Sequence, residues 1–251
     1  MERVVFLHGF CGSPRTFDAV RAALGPRVRG ETPVVCGHAG TDAPVTSFAA
    51  EVDRLAAAIP PGALPLLVGY SLGGRLAMGL VARHPGRWRG ALFIGAHAGI
   101  ADERERAARR QADGAWARLL QDEGLDRFLA AWEAQPLFAS QRGLDAQVQA
   151  LQRQERGQHD PARLAQAIVA LSPGAMPCWD EALAAASTPM TYLVGAQDEK
   201  FLAVGHRLAA RTPALSVAVA PGVGHNVALE APTVTAAAID ALLARTRGRD
   251  G

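Results

Sequence analysis

An apolar strand that runs directly into Gly69-Tyr70-Ser71-Leu72-Gly73 and on into a helix constrains this chain more than any other stretch. The five residues fit G-x-S-x-G, a strand-to-helix turn so tight that its central residue is held in strained backbone geometry. Glycine is required on both sides because a Cβ there would collide with neighbouring backbone, and Ser71 is lifted clear of the sheet over a helix N-terminus. A serine at a helix start can also be an ordinary cap. The surroundings favour the elbow: residues 63–68 form a short buried-type run, and Leu72, Leu76, Ala77, Leu80 and Val81 recur at helical spacing up to His84-Pro85.

Further short apolar runs at residues 4–7, 32–35, 91–95, 190–194 and 215–220 read as strands. Helical patterns separate them at 14–24, 48–59, 179–186 and 232–244. Such alternation predicts right-handed crossovers and a mostly parallel sheet flanked by helices, with ligands gathering at the strands' carboxyl ends. From about 101 to 171 the character changes to charged helical patterns at 104–120, 125–132 and 162–171, with no strand. This predicts a helical lid inserted before the strand that precedes Asp198. The 251 residues are expected to form one domain, 1–251, with that lid inside it.

Ser71, Asp198 and His225 follow one another in the order nucleophile, acid, histidine, each just past the end of an expected strand. Order and placement match the α/β-hydrolase fold. A serine hydroxyl is a poor base or nucleophile alone, so it needs an imidazole to take its proton and a carboxylate to orient that imidazole. Glu199 is the alternative acid, and His38, His97 and His206 are alternative histidines. Asp198 is preferred for its register after Gly195, and His225 for the Gly-x-Gly-His turn after the last strand. The backbone N–H groups of Phe10 and Leu72 are the expected oxyanion donors. His8 reads as a structural hydrogen-bonding group beneath the first loop, and Cys11 as small buried packing.

Arg75 departs from a generic hydrolase. One helical turn past Ser71, its cation faces the positive end of the helix dipole, which costs tenths of a kcal/mol unless an anion compensates. Either a nearby carboxylate or a substrate carboxylate would serve.

A formal charge of +2 with scattered basic residues gives no footprint for nucleic acid or a membrane surface. Cys11, Cys36 and Cys178 are far apart and lack C-x-x-C spacing, which argues against a disulfide framework or zinc site and for a reducing compartment. Residues 1–3 lead into an apolar run too short for a signal-peptide core or a span, so a cytoplasmic protein is expected.

GYSLGGR at 69–75, ERAARRQAD at 105–113, QPLFAS at 135–140, GAMPCWDEAL at 174–183, GAQDEKF at 195–201 and GHN at 224–226 together resemble the 2-succinyl-6-hydroxy-2,4-cyclohexadiene-1-carboxylate synthases of menaquinone biosynthesis. The resemblance runs over nearly the whole chain. It implies a lyase on a hydrolase scaffold, in which Ser71, assisted by His225 and Asp198, abstracts a proton and pyruvate is eliminated from an enolpyruvyl cyclohexene polycarboxylate. It further implies carboxylate-binding roles for Arg75, Arg109 and Arg156, with Arg153 as the alternative to Arg156, and a pocket lined by Tyr70, Trp132 and Phe138. Core packing is the competing reading of those three aromatic residues. No metal or organic cofactor is implied. One departure is CGHAG at 36–40, where relatives carry a Leu-Pro-Gly-His-Gly type turn. Read from its residues alone, the triad equally suits an esterase or carbon–carbon bond hydrolase, and a noncatalytic binding protein on the same fold is the remote alternative.

Overall fold

The computed structural model describes residues 1–60, 62 and 64–248. The chain begins with β1 (Glu2–Leu7), α1 (Asp18–Leu24), β2 (Val28–Glu31) and α2 (Phe48–Ala58). The elbow follows in β3 (Leu66–Tyr70) and α3 (Leu72–Arg83), then β4 (Gly90–Ile94). Helices α4 (Glu103–Glu133), α5 (Ala146–Arg156), α6 (Pro161–Ala170) and α7 (Asp180–Ala184) separate β4 from β5 (Met190–Gly195). The chain closes with α8 (Glu199–Ala209), β6 (Leu215–Ala220), α9 (Val227–Glu230) and α10 (Pro232–Arg245).

The six strands form one sheet in the order β2-β1-β3-β4-β5-β6, parallel throughout. Its inner strands, β1, β3, β4 and β5, read as nearly continuous apolar runs because both faces are covered. Val5, Leu7, Leu67, Phe93 and Tyr192 point to one side, against α2, α3 and α8; Val4, Phe6, Leu66, Val68 and Ile94 point to the other, against α1 and α10. Each such buried side chain is worth about 1.5–3 kcal/mol, so the sheet's own residues anchor the loops at their carboxyl ends.

The second strand lies at Val28–Glu31, not at the expected 32–35. Pro33 has no N–H for a ladder, and the amides that follow are used elsewhere: Val35 N–H donates to His8 Nε2 at 3.2 Å and Cys36 N–H to Glu51 Oε1 at 2.9 Å. The elbow strand begins at Leu66, later than the expected 63; Ala63 itself lies outside the described residues.

Residues 101–171 are helical and without a strand. Helix α4 is broken at Gly124, whose φ of 79° leaves the helical region, so the patterns at 104–120 and 125–132 belong to two segments. Helix α5 was not expected. It buries only Arg156, and so carries no apolar stripe to read.

Candidate active site

The elbow takes its shape from what glycine permits. Ser71 sits at φ 50°, ψ −106°, and its side chain caps nothing, so the ordinary capping role is not the one it plays. A Cβ on Gly69 would lie 2.3 Å from the Gly73 carbonyl oxygen, and one on Gly73 would lie 1.9 Å from that of Leu7. The Ser71 N–H donates to the Ile94 carbonyl at 2.8 Å, pinning the turn to β4.

Ser71 and His225 line one cavity of about 620 Å³ at the carboxyl ends of the strands, beneath the inserted helices. The His225 Nδ1–H donates to Asp198 Oδ2 at 2.6 Å, with both residues buried. This hydrogen bond places the acceptor nitrogen, Nε2, on the other side of the ring. Asp198 is itself fixed at the start of α8, where Oδ1 accepts from the Phe201 N–H at 3.3 Å. Glu199 is exposed, His206 is exposed on α8, and His38 spends both ring nitrogens on backbone groups. Of the alternatives only His97 reaches the cavity.

Glu230 holds the histidine turn: its carboxylate accepts from the Gly224 N–H at 2.7 Å and the Asn226 N–H at 3.0 Å, one oxygen each. The residues between those two amides include only His225. Gly95 makes room for the ring, since a Cβ there would lie 2.9 Å from its Cε1.

The loop after β1 carries Phe10 to the cavity wall, and Leu72 opens α3 beside Ser71. Neither backbone N–H donates to a backbone carbonyl among the described residues. Beneath the loop, the His8 Nδ1–H donates to the Gly9 carbonyl at 2.9 Å, while the Cys11 N–H donates to His38 Nε2 at 3.2 Å. Cys11 is buried at φ 57°, and burial pushes its thiol pKa well up. Burial also lowers His8 to about 4 and holds His38 and His159 below the ordinary imidazole value. The three rings stack edge to face, His8 to His38 at 4.9 Å and His38 to His159 at 5.2 Å, joining two sheet loops to the insertion.

Arg75, Arg109 and Arg156 all line the cavity. Arg75 pairs with no carboxylate among the described residues. Its Nη1 donates to the Leu171 carbonyl, and its guanidinium lies 5.9 Å from the Phe48 ring centroid. Burial, then the Arg109 charge, lowers its pKa to about 9, with Asp113 opposing. Arg109 Nε donates to the buried Asp113 at 2.8 Å, and Arg156 Nη1 to Glu133 at 2.8 Å. Arg153 bonds the same Glu133, but its side chain is 68% exposed and it is absent from the cavity wall.

Tyr70, Trp132 and Phe138 also face the cavity. Trp132 stacks on Phe128 at 5.4 Å and meets Phe10 edge-on at 5.3 Å, so it packs and lines at once. Phe138 lies 6.4 Å from the His225 ring, and Tyr70 5.4 Å from it. Burial raises the Tyr70 phenol well above its ordinary value, keeping it protonated.

Among the cavity groups not singled out from the sequence as ligand-binding are His97, Asp113 and Lys200. His97 could have been found by the rule that placed Asp198, since it too lies just past a strand. No cluster of three or more metal-ligating side chains occurs among the described residues, and no described helix is long and apolar enough to cross a membrane.

The alpha/beta hydrolase family model matches residues 4–238. The 2-succinyl-6-hydroxy-2,4-cyclohexadiene-1-carboxylate synthase of Enterobacter sp. strain 638 is 35% identical over 254 residues, 98% of this chain and 93% of that protein. The protein of the same name from Klebsiella pneumoniae is 34% identical over 250 residues, covering 96% and 93%. Among solved structures, MenH from S. aureus superposes with a TM-score of 0.91 at 26% identity, covering 98% of this chain and 95% of that one. An enol-lactonase from Burkholderia xenovorans LB400 superposes at 0.81 with 18% identity, over 97% and 91%, a likeness of fold alone.

Proposed function

The chain belongs to the alpha/beta hydrolase family and, within it, to the 2-succinyl-6-hydroxy-2,4-cyclohexadiene-1-carboxylate synthases, and we propose that it makes the compound for which those relatives are named. Its substrate would be 2-succinyl-5-enolpyruvyl-6-hydroxy-3-cyclohexene-1-carboxylate, and the second product pyruvate. The observation that carries this reading is Arg75: a half-buried guanidinium without a carboxylate partner among the described residues, in the same cavity as Ser71 and His225. A cation partly withdrawn from water and left without a counter-charge is costly, and a polyanionic ligand reduces that cost on binding. A pocket for a neutral ester has no use for it.

In this mechanism Ser71 acts as a base. Its hydroxyl proton passes to His225 Nε2 while the serine oxygen takes the ring proton next to the succinyl ketone. Asp198 keeps the imidazole oriented and offsets the positive charge it acquires. Electrons from the broken C–H bond pass to the ketone oxygen, where the Phe10 and Leu72 N–H groups receive the charge as it develops. The enolate then collapses. The ring double bond shifts as the bond to the enolpyruvyl oxygen breaks, turning the 3-ene into the 2,4-diene, and the departing enol is protonated to pyruvate with the proton held on His225. Arg75, Arg109 and Arg156 would fix the carboxylates so that the reacting carbon stays over Ser71. Tyr70, Trp132 and Phe138 would close the walls around the ring. Such an enzyme suits the cytoplasm, where Cys11, Cys36 and Cys178, all unpaired, stay reduced.

The test is pyruvate release from the enolpyruvyl substrate by the purified chain. Wild type should release it, Ser71→Ala should lose about a thousandfold in kcat, and Arg75→Ala at least about a hundredfold in kcat/KM. A wild-type preparation that releases none, where a known synthase does, overturns the reading. A burst of acyl-enzyme with an activated ester would instead mark a hydrolase.

A further inference from the structure

His97 lies just beyond β4 and lines the same cavity, but the triad makes no use of it. Its ring is held in one tautomer. The Gly99 N–H donates to His97 Nδ1 at 3.0 Å, so that nitrogen is an acceptor and the proton of the neutral ring sits on Nε2. No described residue accepts from Nε2, and that atom, on a half-buried residue of the cavity wall, is not among the fully buried ones.

The charges acting on the ring come from three elements. Arg75 projects from α3, Arg109 from α4, and Arg207 and Lys200 from α8; burial first, then those cations, lowers its pKa to about 4. The imidazole is therefore neutral at pH 7. It can offer a hydrogen bond in this basic corner without adding a further positive charge. A neutral donor among cations suits an anion with more oxygens than the guanidinium groups alone satisfy.

We propose that the Nε2–H of His97 is a substrate-binding donor, taking a carboxylate oxygen of the polycarboxylate substrate alongside Arg75 and Arg109. This rests on the synthase reading above. The Gly99 contact serves only to set the tautomer.

Two substitutions separate the donor from the loop contact. In His97→Asn the side-chain oxygen can still accept from the Gly99 N–H, but nothing reaches the Nε2 position. His97→Gln returns a donor to that position. With the enolpyruvyl substrate, His97→Asn should raise KM about tenfold or more, with kcat within about threefold of wild type and an unchanged melting temperature. His97→Gln should recover most of the lost KM.

A wild-type KM in His97→Asn overturns the inference and leaves the synthase reading intact. So does a fall in kcat and melting temperature that is equal in both variants, which marks a purely structural histidine. A wild type that releases no pyruvate overturns the synthase reading itself, and the inference with it.

Discussion

At the tips of the sheet, position is set by backbone, whereas in the inserted helices it is set by pairs of side chains. Ser71 is held by a turn with room for no Cβ at Gly69 or Gly73, and His225 by amides locked to Glu230 and a ring packed against Gly95. Arg109 and Arg156 are instead steered by single carboxylates, Asp113 and Glu133, on helices whose longest member is broken at Gly124. The groups proposed to move protons thus sit where displacement meets hard backbone contacts. Arg109 and Arg156, two of the groups proposed to grip the substrate, sit where a change of side-chain partner suffices.

One methyl group at the tips should therefore do more harm than a whole side chain removed from the insertion. Gly73→Ala would press a Cβ into the Leu7 carbonyl and should cost at least about 4 kcal/mol or yield no folded protein. Urea unfolding measures this, and a wild-type midpoint would break the contrast.

Acid should act next, at the seam between the two regions. His8, His38 and His159 all bind a proton less readily folded than unfolded, so between their unfolded and folded pKa values the unfolded chain holds more protons. Their contribution is complete above the ordinary imidazole value and is lost as pH falls below it, for His8 toward about 4. For His8, lowered from 6.5 to about 4, that is about 3 kcal/mol at ~1.4 kcal/mol per pKa unit. Unfolding midpoints from pH 7 to 4 check it; a flat profile would separate the seam from stability. The smallest effects belong to α5. Arg156→Ala should raise KM about tenfold, while Arg153→Ala, exposed and outside the cavity, should change it less than twofold. Equal effects would remove the distinction between them.

The same contrast explains what could be read in advance. Residues 190–194 fell one residue short of β5, because a buried parallel strand writes an apolar run into the sequence, and 215–220 were read with the bounds the structure gives although β6 is an edge strand buried only at its ends. The edge strand β2, Val-Arg-Gly-Glu, writes none, and the apolar residues just after it were read in its place. The elbow and the expected partners Asp198 and His225 were legible because turn chemistry and strand ends mark them. Arg109 and Arg156 came only from the resemblance, since arginine is abundant on any charged helix. Glu230 was not legible at all: its importance comes from two hydrogen bonds to backbone amides, and amides carry no sequence signal.

Lys200, at the cavity wall with its ammonium 5.6 Å from the Phe201 ring centroid, is also the only lysine in the chain. An amine-selective reagent therefore has a single side chain to modify. Apart from the α-amino group of Met1, a fluorophore on an amine-reactive ester has only this wall residue to label, and coupled there it would report on the cavity without engineered cysteines.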